Sequence, residues 1–130
     1  MNDLSKSMML ASSGMKAQAA RIRLVSENMA NVDTPGFRRK TASFEQVLGQ
    51  SQQTGAVKQG DVRLDRGDLP KIFDPAHPMA DEAGYYDGSN VNILIEMADA
   101  REAQRSYEAN LKMFEQSRKM STAVLEILRK

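Results

Sequence analysis

The sequence predicts a mainly α fold in which two long terminal helices pair as a coiled-coil-like hairpin, with a small, irregular, β-containing middle segment between them. Met1, Met8, Met15, Ile22 and Met29 recur every seventh residue, and Leu4, Ala11, Val25 and Val32 interleave with them at helical spacing. The other end repeats the pattern: Ile93, Ala100, Tyr107, Phe114, Ser121 and Leu128 form one series, and Met97, Leu111 and Leu125 a second. Between the two the helical period fails, and most glycines and prolines collect there. The chain therefore divides into an N-terminal helix (1–31), a turn and irregular middle (32–90) and a C-terminal helix (91–130).

Asn2 or Asp3 supplies a cap for the first helix, whose Met, Ala, Lys, Gln and Arg content favours helix over roughly 40 Å. It stops at Asn31-Val32-Asp33-Thr34-Pro35-Gly36-Phe37, where Pro35 fixes φ at one corner of a turn and Gly36 accepts the positive φ that follows. Residues 41–48 read as a short extended or helical piece and 51–59 as a polar loop. Val62-Arg63-Leu64 and Lys71-Ile72-Phe73 read as two short strands joined by a turn through Gly67, together a small hairpin. Proline after Asp74 and after His77 holds those residues extended. Asn90 or Asn92 then caps the second helix, with Glu96 in its first turns and Arg129 and Lys130 at its end, as the macrodipole prefers.

A lone helix cannot hide a heptad seam, and a two-helix hairpin hides only part of one. The middle segment holds too few large apolar residues to complete the burial, so other molecules must supply the rest. The expected seam runs through Leu4, Met8, Met15, Ile22 and Met29 on one side. On the other it runs through Met97, Tyr107, Leu111, Phe114, Leu125 and Leu128.

Several function classes are disfavoured. Eighteen basic against 17 acidic side chains give a net charge of +1, which argues against nucleic acid, and Arg38-Arg39-Lys40 reads as a solvated turn. The absence of cysteine excludes thiolate chemistry and cysteine-held metals. No apolar run is long enough to insert in a bilayer, and no hydrophobic leader with a cleavage site opens the chain. His77 is the lone histidine, with no second ligand at metal spacing, and Asp74, Asp81 and Glu82 lack a partner base. Gly14 and Gly36 make no phosphate loop, and aromatic residues are too few for base stacking. No cofactor, metal or small-molecule substrate is expected.

The stretch from Ser26 to Phe37, with Asn28, Ala30, Asn31, Thr34, Pro35, Gly36 and Phe37 at its key positions, resembles the N-terminal motif of the bacterial flagellar axial proteins. Asn90, Asn92 and Glu96, followed by Arg105, Tyr107, Glu108, Ala109 and Asn110, resemble the second signature of that superfamily. Asp74-Pro75, His77-Pro78, Ala80-Asp81 and Gly84-Tyr85 are most similar to its proximal rod proteins, while Tyr86 and Ser89 depart from the pattern.

The resemblance implies a structural subunit of the basal-body rod, a tubular shaft crossing the periplasm and built from copies of itself and other rod proteins. It implies export by the flagellar type III apparatus with an uncleaved N-terminal signal, and no catalytic role. The motif residues from Asn28 to Phe37 would shape the turn, with Glu108 and Asn110 hydrogen-bonding to it. A neighbouring rod subunit or a helical adaptor is the alternative, though an adaptor needs one seam and this chain has two.

Overall fold

The computed structural model describes residues 3–48 and 53–129, so the possible cap at Asn2 and the seam position Met1 lie outside the described residues. Helix α1 spans Asp3–Ala30 and helix α2 spans Ile93–Arg129. Among the described residues six short strands lie between them: β1 Lys40–Thr41, β2 Phe44–Leu48, β3 Gln53–Gln59, β4 Arg63–Leu64, β5 Lys71–Phe73 and β6 Tyr85–Asp87. The fold is thus mainly α with a small β-containing middle. Of the two candidate caps for α2, Asn92 is the one used: its Oδ1 accepts the N–H groups of Leu94 at 3.0 Å and Ile95 at 3.4 Å.

The helices run antiparallel. Gly14 lies against Asn110, Arg21 against Asp99, and Asn28 against Glu96. The residues buried along this line are Ala11, Ala17, Val25 and Asn28 on α1, with Glu96 and Ala103 on α2. The contact therefore centres on the interleaved series through Ala11 and Val25. The expected seam residues Leu4, Met8, Met15, Ile22 and Met29 flank it half-buried, as do Tyr107, Leu111 and Phe114 across from them.

Small side chains explain the shift, because they let the two backbones approach where large ones hold them apart. A Cβ on Gly14 would sit 2.8 Å from the Asn110 amide. Gly14→Leu should accordingly overpack the hairpin by about 1–3 kcal/mol, read as a lower urea midpoint at unchanged m-value.

Of residues 51–59, expected as loop, 51 and 52 lie outside the described residues and 53–59 form β3 instead. It pairs antiparallel with β2 in the register Phe44↔Gln59, Glu45↔Lys58 and Gln46↔Val57, with an irregularity before Leu48↔Gln53. This hairpin lies on α1, where Ala56 is buried and the Val57 N–H donates to Ser13 Oγ at 3.2 Å. A polar strand is stable there because the helix covers one of its faces.

The expected hairpin between β4 and β5 is not formed. β4 pairs with β1 (Lys40↔Leu64, Thr41↔Arg63), and β5 pairs with β6 (Lys71↔Asp87, Ile72↔Tyr86, Phe73↔Tyr85), both antiparallel. Arg38 decides the first pairing. Its guanidinium donates to the carbonyls of Asp65 at 3.1 Å and Gly67 at 2.7 Å, while the Asp65 N–H donates to Arg39 O at 2.8 Å. These bonds hold the turn after β4 beside β1 and away from β5.

Candidate assembly surface

The turn leaving α1 is built from the motif residues themselves. Asn31 Nδ2 donates back to Glu27 O at 2.8 Å, and Thr34 Oγ1 donates to Asn31 Oδ1 at 3.0 Å. The Phe37 N–H closes the Thr34-Pro35-Gly36-Phe37 turn on Thr34 O at 3.1 Å. Gly36, at φ 74°, occupies the left-handed region its position requires, and its N–H donates to Asp87 O at 3.0 Å. Ser89 Oγ reaches Val32 O, and the Asn90 N–H donates to Phe37 O at 3.2 Å. The two sequence signatures, more than fifty residues apart, thus meet at one corner.

Three polar side chains lock that corner. Asn28, 1% exposed, donates to Lys40 O at 2.9 Å and accepts the Lys40 N–H at 2.8 Å, clamping the chain as a strand neighbour would. Asn90 does the same at one residue's remove, accepting the Arg39 N–H at 2.7 Å and donating to Asp65 O at 3.2 Å. Glu96 is fully buried and accepts from Arg39 Nε at 2.7 Å and Asn28 Nδ2 at 3.3 Å. Arg39, expected in a solvated run, is instead the partner of a buried carboxylate.

Glu108 and Asn110, expected at this turn, lie elsewhere on α2. Glu108 is exposed, and Asn110 donates to Ser106 O at 2.9 Å while packing on Gly14. Asn110 follows Glu96 by fourteen residues, about 21 Å along the helix, which is why the corner is out of reach. Of the remaining motif residues, Ala30 and Arg105 are exposed and Pro35 is half-buried. Farther along the hairpin Arg21 bridges Asp99 and Glu102; its hydrogen bond with Asp99 raises its pKa above the ordinary arginine value.

The candidate chemical groups are occupied by structure. His77 Nδ1 accepts the Met79 N–H at 3.1 Å, and its ring stacks on Tyr86 at 3.9 Å. Asp74 and Asp81 accept the N–H groups of Ala76 and Tyr85 in their own loop.

What the molecule offers instead is surface. It exposes 9463 Å², whereas a compact monomer of its 14.4 kDa exposes about 6,800 Å². The excess is of the size that stable interfaces cover. Large apolar side chains stand exposed along α2. Leu94 is 72% exposed, and Ile95 and Met97 are also exposed at its start. Met113, Met120, Val124 and Ile127 form an outward stripe that the heptad reading missed, although their spacing of seven, four and three residues is in the sequence.

Beyond Ser121, the last half-buried position, Thr122 to Arg129 are all exposed, with Leu125 at 59% and Leu128 at 76%. The antiparallel register explains this, since Asp3 falls roughly level with Ser121 and α2 continues about 12 Å further. Leu125 and Leu128 therefore stand outside the hairpin contact, while Met97, within the paired length, is 47% exposed on a face of α2 turned away from α1.

The ends that build this surface match known families. Residues 8–38 match the family model described as "Flagella basal body rod protein", and residues 82–127 that described as "Flagellar basal body rod FlgEFG protein C-terminal". The chain is 43% identical to the flagellar basal-body rod protein FlgC of Agrobacterium fabrum, over 99% of this chain and 98% of that protein. It is 32% identical to FlgC of Borreliella burgdorferi, over 96% and 97% respectively. Against FlgC of Salmonella typhimurium the identity is 29%, over 91% and 92%.

Proposed function

Because the chain belongs to the FlgC family of flagellar basal-body rod proteins, we propose that it polymerises with other rod proteins and with copies of itself into the proximal part of a tubular shaft that carries torque across the periplasm. It is a structural subunit, and its role is mechanical and not catalytic. The observation that carries this reading is the uncovered apolar surface of α2, from Leu94 at one end to Leu128 at the other. Lateral and axial contacts that bury it gain about 25 cal/mol per Å² of apolar area. Interfaces that do not close on themselves propagate as a helix, whose product is a tube.

The self-assembly seam comprises Leu4, Met8, Met15, Ile22, Met29, Met97, Tyr107, Leu111, Phe114, Leu125 and Leu128, with the Met113–Ile127 stripe beside them. Motif residues 28–37, with Asn90 and Glu96, set the angle at which the middle segment leaves the helical layer. Passage through the flagellar type III apparatus, the remaining part of the proposal, suits a chain without cysteines whose helices are completed only after delivery.

Deleting the coding sequence should leave cells without rods and unable to swim, and the full-length chain supplied in trans should restore both and appear in purified basal bodies. Swimming cells with intact rods in the deletion strain would overturn the proposal.

A further inference from the structure

The chain holds nine methionines but no cysteine and no tryptophan, so its thioethers are its only sulfur and its most readily oxidised side chains. Among the described residues no methionine is buried: the buried apolar side chains are Ala11, Ala17, Val25, Ala56 and Ala103. Oxidation of an accessible thioether therefore leaves the core of the monomer alone. Its consequence depends on where each sulfur stands.

Met8, Met15 and Met29 flank the hairpin contact half-buried. Met9 and Met97 are exposed at separate points of α1 and α2, and Met79, 63% exposed, lies in the loop between β5 and β6. Met113 and Met120 differ from all of these. They are 58% and 48% exposed, and a spacing of seven residues sets them on one face of α2 about 10 Å apart. Val124 and Ile127 continue the same stripe. Two accessible sulfurs thus sit side by side in the largest apolar face that the hairpin leaves open.

We propose that Met113 and Met120 form a reversible oxidation site, whose sulfoxides block incorporation of the subunit without unfolding it. The proposal rests on the rod reading, which buries this stripe in an interface. In the oxidation the thioether sulfur attacks one oxygen of hydrogen peroxide. The S–O bond forms as the O–O bond breaks, sulfur gives up two electrons, and the second oxygen leaves as water with the proton of the first. A flexible apolar side chain becomes a polar, chiral one. In the free subunit water solvates the new oxygen. In an interface formed by hydrocarbon it has no donor, and burying it unpaired weakens attachment by roughly tenfold to a hundredfold per sulfoxide. Methionine sulfoxide reductases driven by a dithiol reverse the step, the oxygen leaving as water and the dithiol becoming a disulfide. A subunit is therefore open to the modification before incorporation and shielded after it.

Purified full-length chain treated with hydrogen peroxide should gain one oxygen at Met113 and one at Met120 ahead of Met15 and Met29, read by mass spectrometry of tryptic peptides. Its helicity by circular dichroism should stay the same. Thioethers left intact at 113 and 120, or helicity lost at the dose that converts them, would overturn the proposal. In a deletion strain, the chain induced under sublethal peroxide should build about tenfold fewer basal bodies than without it. Met113→Leu with Met120→Leu should recover most of them, and Met79→Leu should recover none. Equal loss with the leucine pair would mean general damage and remove the site. Without peroxide, Met113→Gln with Met120→Gln, polar and of similar size, should give a helical chain and no rods, and normal swimming by that variant would also overturn the proposal. Rods in the deletion strain itself would remove the rod reading, whereas their absence there with no protection by leucine removes the oxidation site alone.

Discussion

Glu96→Ala should destabilise the chain by about 1.5–3 kcal/mol, because it removes the charged acceptor of Arg39 and leaves the buried Asn28 amide one bond short. The Arg39 guanidinium would keep only Asp65, at 4.0 Å, and Asn28 would lose one of its three bonds. The urea midpoint followed by circular dichroism at 222 nm should fall by the equivalent amount. Glu96→Gln keeps a carbonyl toward Arg39 and most of the packing, so it should cost clearly less. Equal losses for the two variants would mean that the buried charge contributes nothing beyond filling space. The effect should reach assembly as well, since this corner sets the path from α1 into the middle segment.

Replacing Ile127 and Leu128 together by Asp should have the opposite profile. Both side chains are more than 70% exposed, so the isolated chain should keep its helicity and its urea midpoint. In the rod the same two side chains, if buried, contribute about 3 kcal/mol or more per contact, over a hundredfold in affinity. Rod assembly and swimming should therefore be lost while secretion into the periplasm persists. Full swimming by the double variant would show that the end of α2 lies outside every interface. Leu111→Asp is a poorer probe, because Leu111 is half-buried within the hairpin and its change should weaken monomer and assembly together.

Much of this architecture is legible in the sequence because helix length and heptad period are local signals. The turn at Pro35-Gly36 and the cap before α2 are also local, set by φ and by one side-chain oxygen. What was not legible depends on partners far apart in the chain. Arg39 and Glu96 each look like solvent residues until the fold brings them to 2.7 Å. The pairing of two- and three-residue strands was equally hidden, since Arg38 settles it through carbonyls at Asp65 and Gly67 and not through any alternation in β4 itself.

Weighting only large side chains also displaced the helix contact. The closest line runs through Ala11, Gly14, Ala17 and Ala103, where small size is the signal and hydrophobicity scales are nearly silent. Glu108 and Asn110 share a signature with Glu96 but lie away from the corner, so membership of one motif does not place residues in one site. The candidate assembly surface was legible in kind, as unfinished seams, but not in position. Its outward stripe through Met113 and Met120 needed the fold to show which face α1 leaves open.

The unequal reach of the two helices gives the subunit a sense of direction. Among the described residues α2 projects past α1 at one end, as a spur of bare leucine and isoleucine, so a molecule turned upside down presents something different to whatever lies above it. A filament stacked from such pieces acquires a top and a bottom from the subunit itself, and an incoming copy inserted the wrong way round would leave its spur with nothing to grip.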